Sequence, residues 1–195
     1  MHAFYAPSPF LVRVVFPVVA GVRRAGIEAV LPRGPLVIVA QRQSRWDAAA
    51  LAAALPRPVV FWGGGWAAAR VRPEWRGGLD RGVEMLRRDA ALGVLVGGHG
   101  ASLHGDGPSA IPAGMVGAAL LALHASAPIM PVNIRGTEGI KLLRRPRVDV
   151  TFGQPFSLPM LEGPLSRATL RTLARMVVER LAAVRTEVDA RAGGG

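Results

Sequence analysis

The densest polar chemistry in the chain lies in Gln41-Arg42-Gln43-Ser44-Arg45-Trp46-Asp47, between a β-branched apolar run and an alanine-rich stretch. A carboxylate at Asp47 has two uses there. It can serve a proton-transfer site, or it can cap and charge the N-terminus of a helix that begins at the alanines. Capping needs no further assumption and is the plainer expectation. Arg42, Ser44 and Arg45 can hold a phosphate or headgroup beside that helix start, where dipole and guanidinium charge add. The alternative is that the arginines are solvated or paired with Asp47.

A second concentration is Gly97-Gly98-His99-Gly100, followed by Ser102. Glycines there permit positive φ and let a backbone approach a ligand closely. His99 is the candidate proton acceptor, although a histidine among glycines is also an ordinary turn residue. His104 is a weaker candidate, and His124 falls in an apolar helical run, where a satisfied, partly buried imidazole is expected. Trp46, Trp62 and Trp66, with Trp75, bracket these segments and suit a pocket for an apolar ligand or interfacial anchors; core tryptophans would look the same. The chain has no cysteine, so disulfides, thiolate metal sites and cysteine nucleophiles are excluded. No His, Asp or Glu spacing supports a metal, and no bound cofactor is expected.

The elements that must position these residues alternate between strand and helix. Leu36–Ala40, Val59–Trp62, Leu92–Val96, Ile129–Ile134 and Val148–Phe152 read as strands, the first a continuous apolar run of the kind buried on both faces. Asp47–Leu55, Leu79–Asp89, Gly114–Ser126 and Pro164–Arg191 read as helices. On the last, Leu170, Leu173, Val177, Leu181, Val184 and Val188 share one face. Phe10–Arg24 reads as an apolar helix with arginines at its ends and a kink at Pro17. The expectation is a single α/β domain over residues 25–192, with a mixed, mostly parallel sheet flanked by helices. An apolar and basic helical segment, 1–24, precedes it, and a flexible tail, 193–195, follows.

At 195 residues, half of them hydrophobic, the chain is long enough for one well-filled core. Its net charge is +11, from 24 basic and 13 acidic residues, and Lys141 is the only lysine. The arginine, alanine and glycine bias is that of a GC-rich coding sequence. Such charge attracts anionic lipid, nucleic acid or phosphorylated ligands without choosing among them. Nucleic acid is disfavoured because the arginines are dispersed and no binding motif is present. No run of about 20 apolar residues is available to span a bilayer. Met1–Phe10, with two prolines and no basic start, does not read as a secretory signal. The expectation is a cytoplasmic protein, peripheral on the inner membrane face, with a lipid or anionic membrane surface as partner.

The order of these motifs resembles the glycerophospholipid acyltransferases, the lysophospholipid or 1-acylglycerol-3-phosphate enzymes of phospholipid biosynthesis. The resemblance spans nearly the whole chain. Gly26–Ala40 is similar to the family's entry into its first strand, and Gln41–Asp47 stands where its Asn-His-x-Ser-x-x-Asp motif belongs. Gly117–Leu123 and Pro128–Thr137 are similar to the helix, turn and strand that close the site, and Val148–Phe156 resembles a late strand ending in Phe-Gly-x-Pro. The resemblance implies the family's fold and transfer of an acyl group from acyl-CoA or acyl-carrier protein to a lysophospholipid or glycerol phosphate.

In that family the motif histidine, oriented by the aspartate, takes the proton of the attacking hydroxyl. Here Asp47 stands at the aspartate, but the histidine position is Arg42, whose guanidinium stays protonated and accepts no proton. Where the family has Phe-Pro-Glu-Gly-Thr-Arg-Ser to hold the acceptor phosphate, this chain has Val96-Gly97-Gly98-His99-Gly100-Ala101-Ser102, and only Ser102 of the polar set is kept. The basic residue usual just before the glycine of the next helix is missing too, since Met115 and Val116 precede Gly117. Two readings follow. One is a family scaffold with weak or lost catalysis that binds a lipid, a carrier or a partner. The other is an active site rebuilt from His99 with Asp47, since the family's glycine loop lies beside the motif.

Overall fold

The computed structural model describes residues 16, 18, 20–62, 75–97, 111–140, 146–160 and 163–193. Six strands form one sheet: β1 Gly21–Ala25, β2 Leu36–Gln41, β3 Val59–Phe61, β4 Ala91–Val96, β5 Ile129–Arg135 and β6 Arg147–Phe152. Their order is β1-β6-β5-β2-β4-β3. Strands β5, β2, β4 and β3 are mutually parallel, β6 is antiparallel to β5, and β1 runs parallel to β6. This is the single α/β domain with a mostly parallel, mixed sheet that the alternation of runs implied.

Central position explains the composition of β2. Leu36 to Ala40 are fully buried, because a parallel strand between two neighbours has both faces covered by helices. One face packs on α1, Asp47–Ala54, where Ala50, Leu51, Ala53 and Ala54 meet Leu36, Ile38, Met130, Val132, Val148 and Val150. The other face receives α2 Trp75–Arg87, α3 Ala113–Ala125 and α4 Arg167–Gly193, with Leu86, Leu121, Val177 and Leu181 against Val37, Val39 and Ile129. Small residues let α1 and α3 lie close to the sheet. Helix α4 presents the expected face, burying Leu173, Val177, Leu181 and Val184. It rises along β5, where Arg135 pairs with Asp189.

Four expectations need correction. Gly21–Ala25 is an edge strand, so the helix read over Phe10–Arg24 does not reach its proposed end. With one neighbour only, β1 tolerates Arg23 and Arg24, whose charge also discourages edge-to-edge pairing. The last helix begins at Arg167 rather than Pro164, and it takes in Gly193, read as tail. His124 is exposed in the final turn of α3 rather than partly buried, because the helix end emerges from the layer. Asp47 is not a helix cap: Trp46 occupies the cap position, and Asp47 is the first helical residue.

Candidate active site

The carboxyl ends of adjacent parallel strands are where ligands of open α/β sheets bind, and here the ends of β4, β2 and β5 bring together three chain segments. Strand β2 stays in register with β4 up to the pair Gln41 and Val96. The ladder extends one step further, as Arg42 N–H donates to Val96 O at 2.7 Å. Gly97 follows with φ +125°, and an added Cβ would lie 3.1 Å from Arg42 O. The position therefore favours glycine on both conformational and steric grounds. It fixes where the chain leaves β4 relative to Arg42.

Beyond Arg42 the chain folds back on Asp47. The Asp47 carboxylate is fully buried. Its Oδ2 accepts the N–H groups of Gln43 at 2.6 Å and Ser44 at 2.8 Å. Its Oδ1 accepts the hydroxyl of Thr137 and, at 3.4 Å, that of Ser44. Ser44 Oγ in turn accepts Trp46 N–H at 3.0 Å, which sets the last turn before the helix. A buried carboxylate requires such a set of donors, since an unpaired one would cost several kcal/mol or neutralise, by about the penalties known for buried charges. Its place in the first turn of α1 adds the favourable dipole.

Thr137 was not read from the sequence as a site residue. It is fully buried and opens the short 3-10 turn Thr137–Gly139 after β5. Gly136 precedes it at φ +84°, so close to Arg147 that a Cβ there would collide with that residue's carbonyl oxygen. The signal available was a Gly-Thr pair at the end of a buried strand. Nothing local tied its hydroxyl to Asp47.

The structure thus gathers Arg42, Ser44, Asp47 and Gly97 at one end of the sheet. Arg42 is half-buried, while Arg45 is exposed with its guanidinium 5.3 Å from the centroid of the Trp46 ring, a cation–π distance. Trp46 is half-buried against the α1 core. Trp62 is buried in the opposite core, its indole N–H donating to Gly78 O at 3.1 Å. Gly98, His99, Gly100, Ser102 and Trp66 lie outside the described residues, as does His104. Among the described residues no group of His, Asp and Glu could hold a metal ion.

Among solved structures, the chain is similar to the crystal structure of the 1-acyl-sn-glycerophosphate (LPA) acyltransferase PlsC from Thermotoga maritima. The TM-score is 0.56 at 18% identity, over 88% of this chain and 75% of that one. The fold is similar to that of this acyltransferase. No protein-family model and no curated protein matches the sequence. Within this fold the chemistry of the chain rests on its own residues. Among the described residues, none of its helices is long and apolar enough to cross a membrane.

Proposed function

We propose that this protein is a relative of the glycerophospholipid acyltransferases with weak or lost catalysis, whose work is to bind a lipid, an acyl carrier or a partner enzyme. One observation carries the reading: both oxygens of Asp47 are engaged by Gln43, Ser44 and Thr137, while the proton-acceptor position of the motif holds Arg42. In the family's chemistry the carboxylate orients an imidazole. Here its described donors are backbone N–H groups and hydroxyls, which use it to fasten two loops to the helix start. A guanidinium offers no lone pair at physiological pH, so Arg42 cannot itself take the proton of an acceptor hydroxyl. Loss of such a base alone costs about 10²- to 10⁴-fold in rate. The glutamate and arginine that position the acceptor phosphate are absent too, with Gly98 and Ala101 in their places.

The test is acyl transfer from acyl-CoA and from acyl-carrier protein to a panel of lysophospholipids and glycerol phosphate. The wild type and the Asp47→Ala and His99→Ala variants are compared, with each variant's folding checked by circular dichroism. The reading expects at most trace turnover in the wild type and none that depends on His99. Robust wild-type turnover overturns it, and loss of that turnover in His99→Ala assigns the chemistry to a dyad of His99 and Asp47.

A further inference from the structure

Strand β1 lies at the end of the sheet order, beside β6. Gly21 N–H donates to Pro146 O at 3.0 Å, and Gly21 stands in register with Arg147. Main-chain groups of successive strand residues point to opposite edges, so Gly21, Arg23 and Ala25 pair with β6. The N–H and C=O groups of Val22 and Arg24 face outward. Among the described residues nothing bonds to them. A cleft of about 610 Å³ beside the strand is lined by Gly21, Val22, Arg23 and Arg24 with Ala53 and Arg147. A Cβ added at Gly21 would meet nothing within 4 Å, so the start of the strand is uncrowded.

The charge of this edge has one sign. Arg23, Arg24 and Arg147 are exposed, and among the described residues no carboxylate lines the cleft. Asp149, in register with Arg23 on the β6 side, offsets part of its charge. Side chains of adjacent strand residues point to opposite faces, so Arg23 and Arg24 flank the open edge, one on each face. Val22 shares the face of Arg24 and packs against the α1 core. Guanidinium groups that diverge in this way do not converge on one small anion. They suit a ligand that runs along the edge and carries negative charge on both of its faces.

We infer that the outer edge of β1 is a strand-addition site for an extended acidic segment of a partner protein. An incoming strand brings acceptors for the outward N–H groups and donors for the outward C=O groups at the spacing of the edge, and its adjacent side chains point to both faces. Two consecutive carboxylates on it therefore meet Arg23 and Arg24. A surface of phosphates offers acceptors to the N–H groups but no donors to the carbonyls. A second copy of this chain would set its own arginines against these, and like charges across a strand pair destabilise it. Binding at this edge needs no catalysis, so peptide-binding and acyl-transfer assays can fail separately.

The experiment titrates the full chain into a short fluorescein-labelled peptide of valine, threonine and paired glutamates, followed by anisotropy. This peptide should bind, and the same peptide with lysine in place of glutamate should not. Methylating alternate backbone nitrogens of the acidic peptide keeps its charge but removes its pairing donors, and should abolish most of the binding. On binding, amide hydrogen exchange should slow at Val22 and Arg24 and stay unchanged at Gly21 and Arg23, which already face β6. Val22→Pro deletes an outward N–H while leaving the β6 ladder in place, and should weaken binding about 2- to 12-fold, the range for one hydrogen bond. Arg23→Gln with Arg24→Gln should weaken it roughly 2- to 30-fold, the range for two cross-strand charge pairs, and Arg23→Lys with Arg24→Lys should keep it. Circular dichroism verifies the folding of every variant, and the methylated peptide tests the pairing without altering the protein. Absence of wild-type binding, equal binding of the methylated peptide, or unchanged exchange at Val22 and Arg24 overturns the proposal. So does protection of those two amides without peptide that grows with protein concentration, which assigns the edge to a second copy. Adsorption to anionic vesicles through Arg23 and Arg24 without peptide binding overturns it in favour of a bilayer.

Discussion

Thr137 donates its hydroxyl to Oδ1 of Asp47 across 90 positions of sequence. The bond ties the turn after β5 to the first residue of α1 and closes the carboxyl end of the sheet between them. Replacing Thr137 with Val keeps the shape and removes the donor, leaving Oδ1 with the long Ser44 contact of 3.4 Å. A hydrogen bond to a buried charge contributes about 1.5–3 kcal/mol. For a chain of this length that corresponds to a fall in Tm of roughly 3 to 12 °C. Thr137→Ser should recover most of it, and thermal melts followed by circular dichroism check both.

Asp47 should behave as a structural group. Asp47→Ala removes the acceptor for two N–H groups and two hydroxyls and should destabilise by about 3 kcal/mol or more. In a double-mutant cycle with Thr137→Val, the two substitutions share one bond and should couple by about 1–3 kcal/mol. Additive losses in denaturant titrations would mean that Thr137 and Asp47 do not act together.

Much of the scaffold was legible because its central strands are buried on both faces, which forces runs such as Leu36–Ala40 and Leu92–Val96 to be apolar throughout. The edge strand β1 was not. Its residues Arg23 and Arg24 meet solvent, so neither alternation nor an apolar run marks it, and the valines before it carry the helical reading onward. Asp47 before a run of alanines is the same pattern whether it caps the helix or fastens loops. The difference lies in a threonine that only the sheet brings near. His124 misled because α3 is apolar all round, and only the fold shows that its last turn emerges into solvent.

Two glycines hold the loops of the site, and they should respond differently to alanine. At Gly97 the cost combines a φ of +125° with a contact of 3.1 Å to Arg42 O, for which about 1–3 kcal/mol is expected. At Gly136 the added methyl group meets the backbone of Arg147, which has no flexible end to give way. Gly136→Ala should therefore be the more damaging and should also cancel the effect of Thr137→Val, since the turn that presents the hydroxyl would be displaced. Melts of the two alanine variants, alone and with Thr137→Val, test the ranking.

At the opposite end of the sheet, Arg57 donates to Leu31 O at 3.1 Å, Gly34 O at 2.9 Å and Asp89 O. Burial lowers the guanidinium pKa, with the Asp89 charge opposing. A lowered pKa in a base means that the folded state holds its proton less tightly, a cost relieved only as pH rises through the folded pKa. Arginine stays charged far above neutrality, so the contribution of Arg57 should be constant across the neutral range. Arg57→Ala should cost about 2 kcal/mol, lowering Tm by roughly 4 to 8 °C. Arg57→Lys should recover only part, because an ammonium lacks the fork that reaches carbonyls from separate turns. A loss that grew or vanished between mildly acidic and mildly basic buffers would contradict this.

The acyltransferase reading makes its sharpest demand at Arg42. Placing histidine there supplies a group with an accessible proton-acceptor pKa next to a loop whose Asp47 carboxylate has one oxygen held by the Thr137 hydroxyl and, more loosely at 3.4 Å, by that of Ser44. An imidazole N–H can compete with the Ser44 hydroxyl for that oxygen beside the Thr137 bond, whereas the N–H groups of Gln43 and Ser44 hold the other at 2.6 and 2.8 Å. Arg42→His alone should still give no more than a trace of acyl transfer, since a base without a positioned acceptor lacks the orientation that carries much of such a reaction. Adding Gly98→Glu and Ala101→Arg, the residue types of the family's phosphate-holding segment, should raise that trace by about 10²-fold or more, within the range that a positioned base supplies. The comparison is single-turnover transfer from acyl-CoA to lysophosphatidic acid by wild type, Arg42→His and the triple variant. A triple variant no faster than Arg42→His would contradict the proposal that these three positions limit acyl transfer.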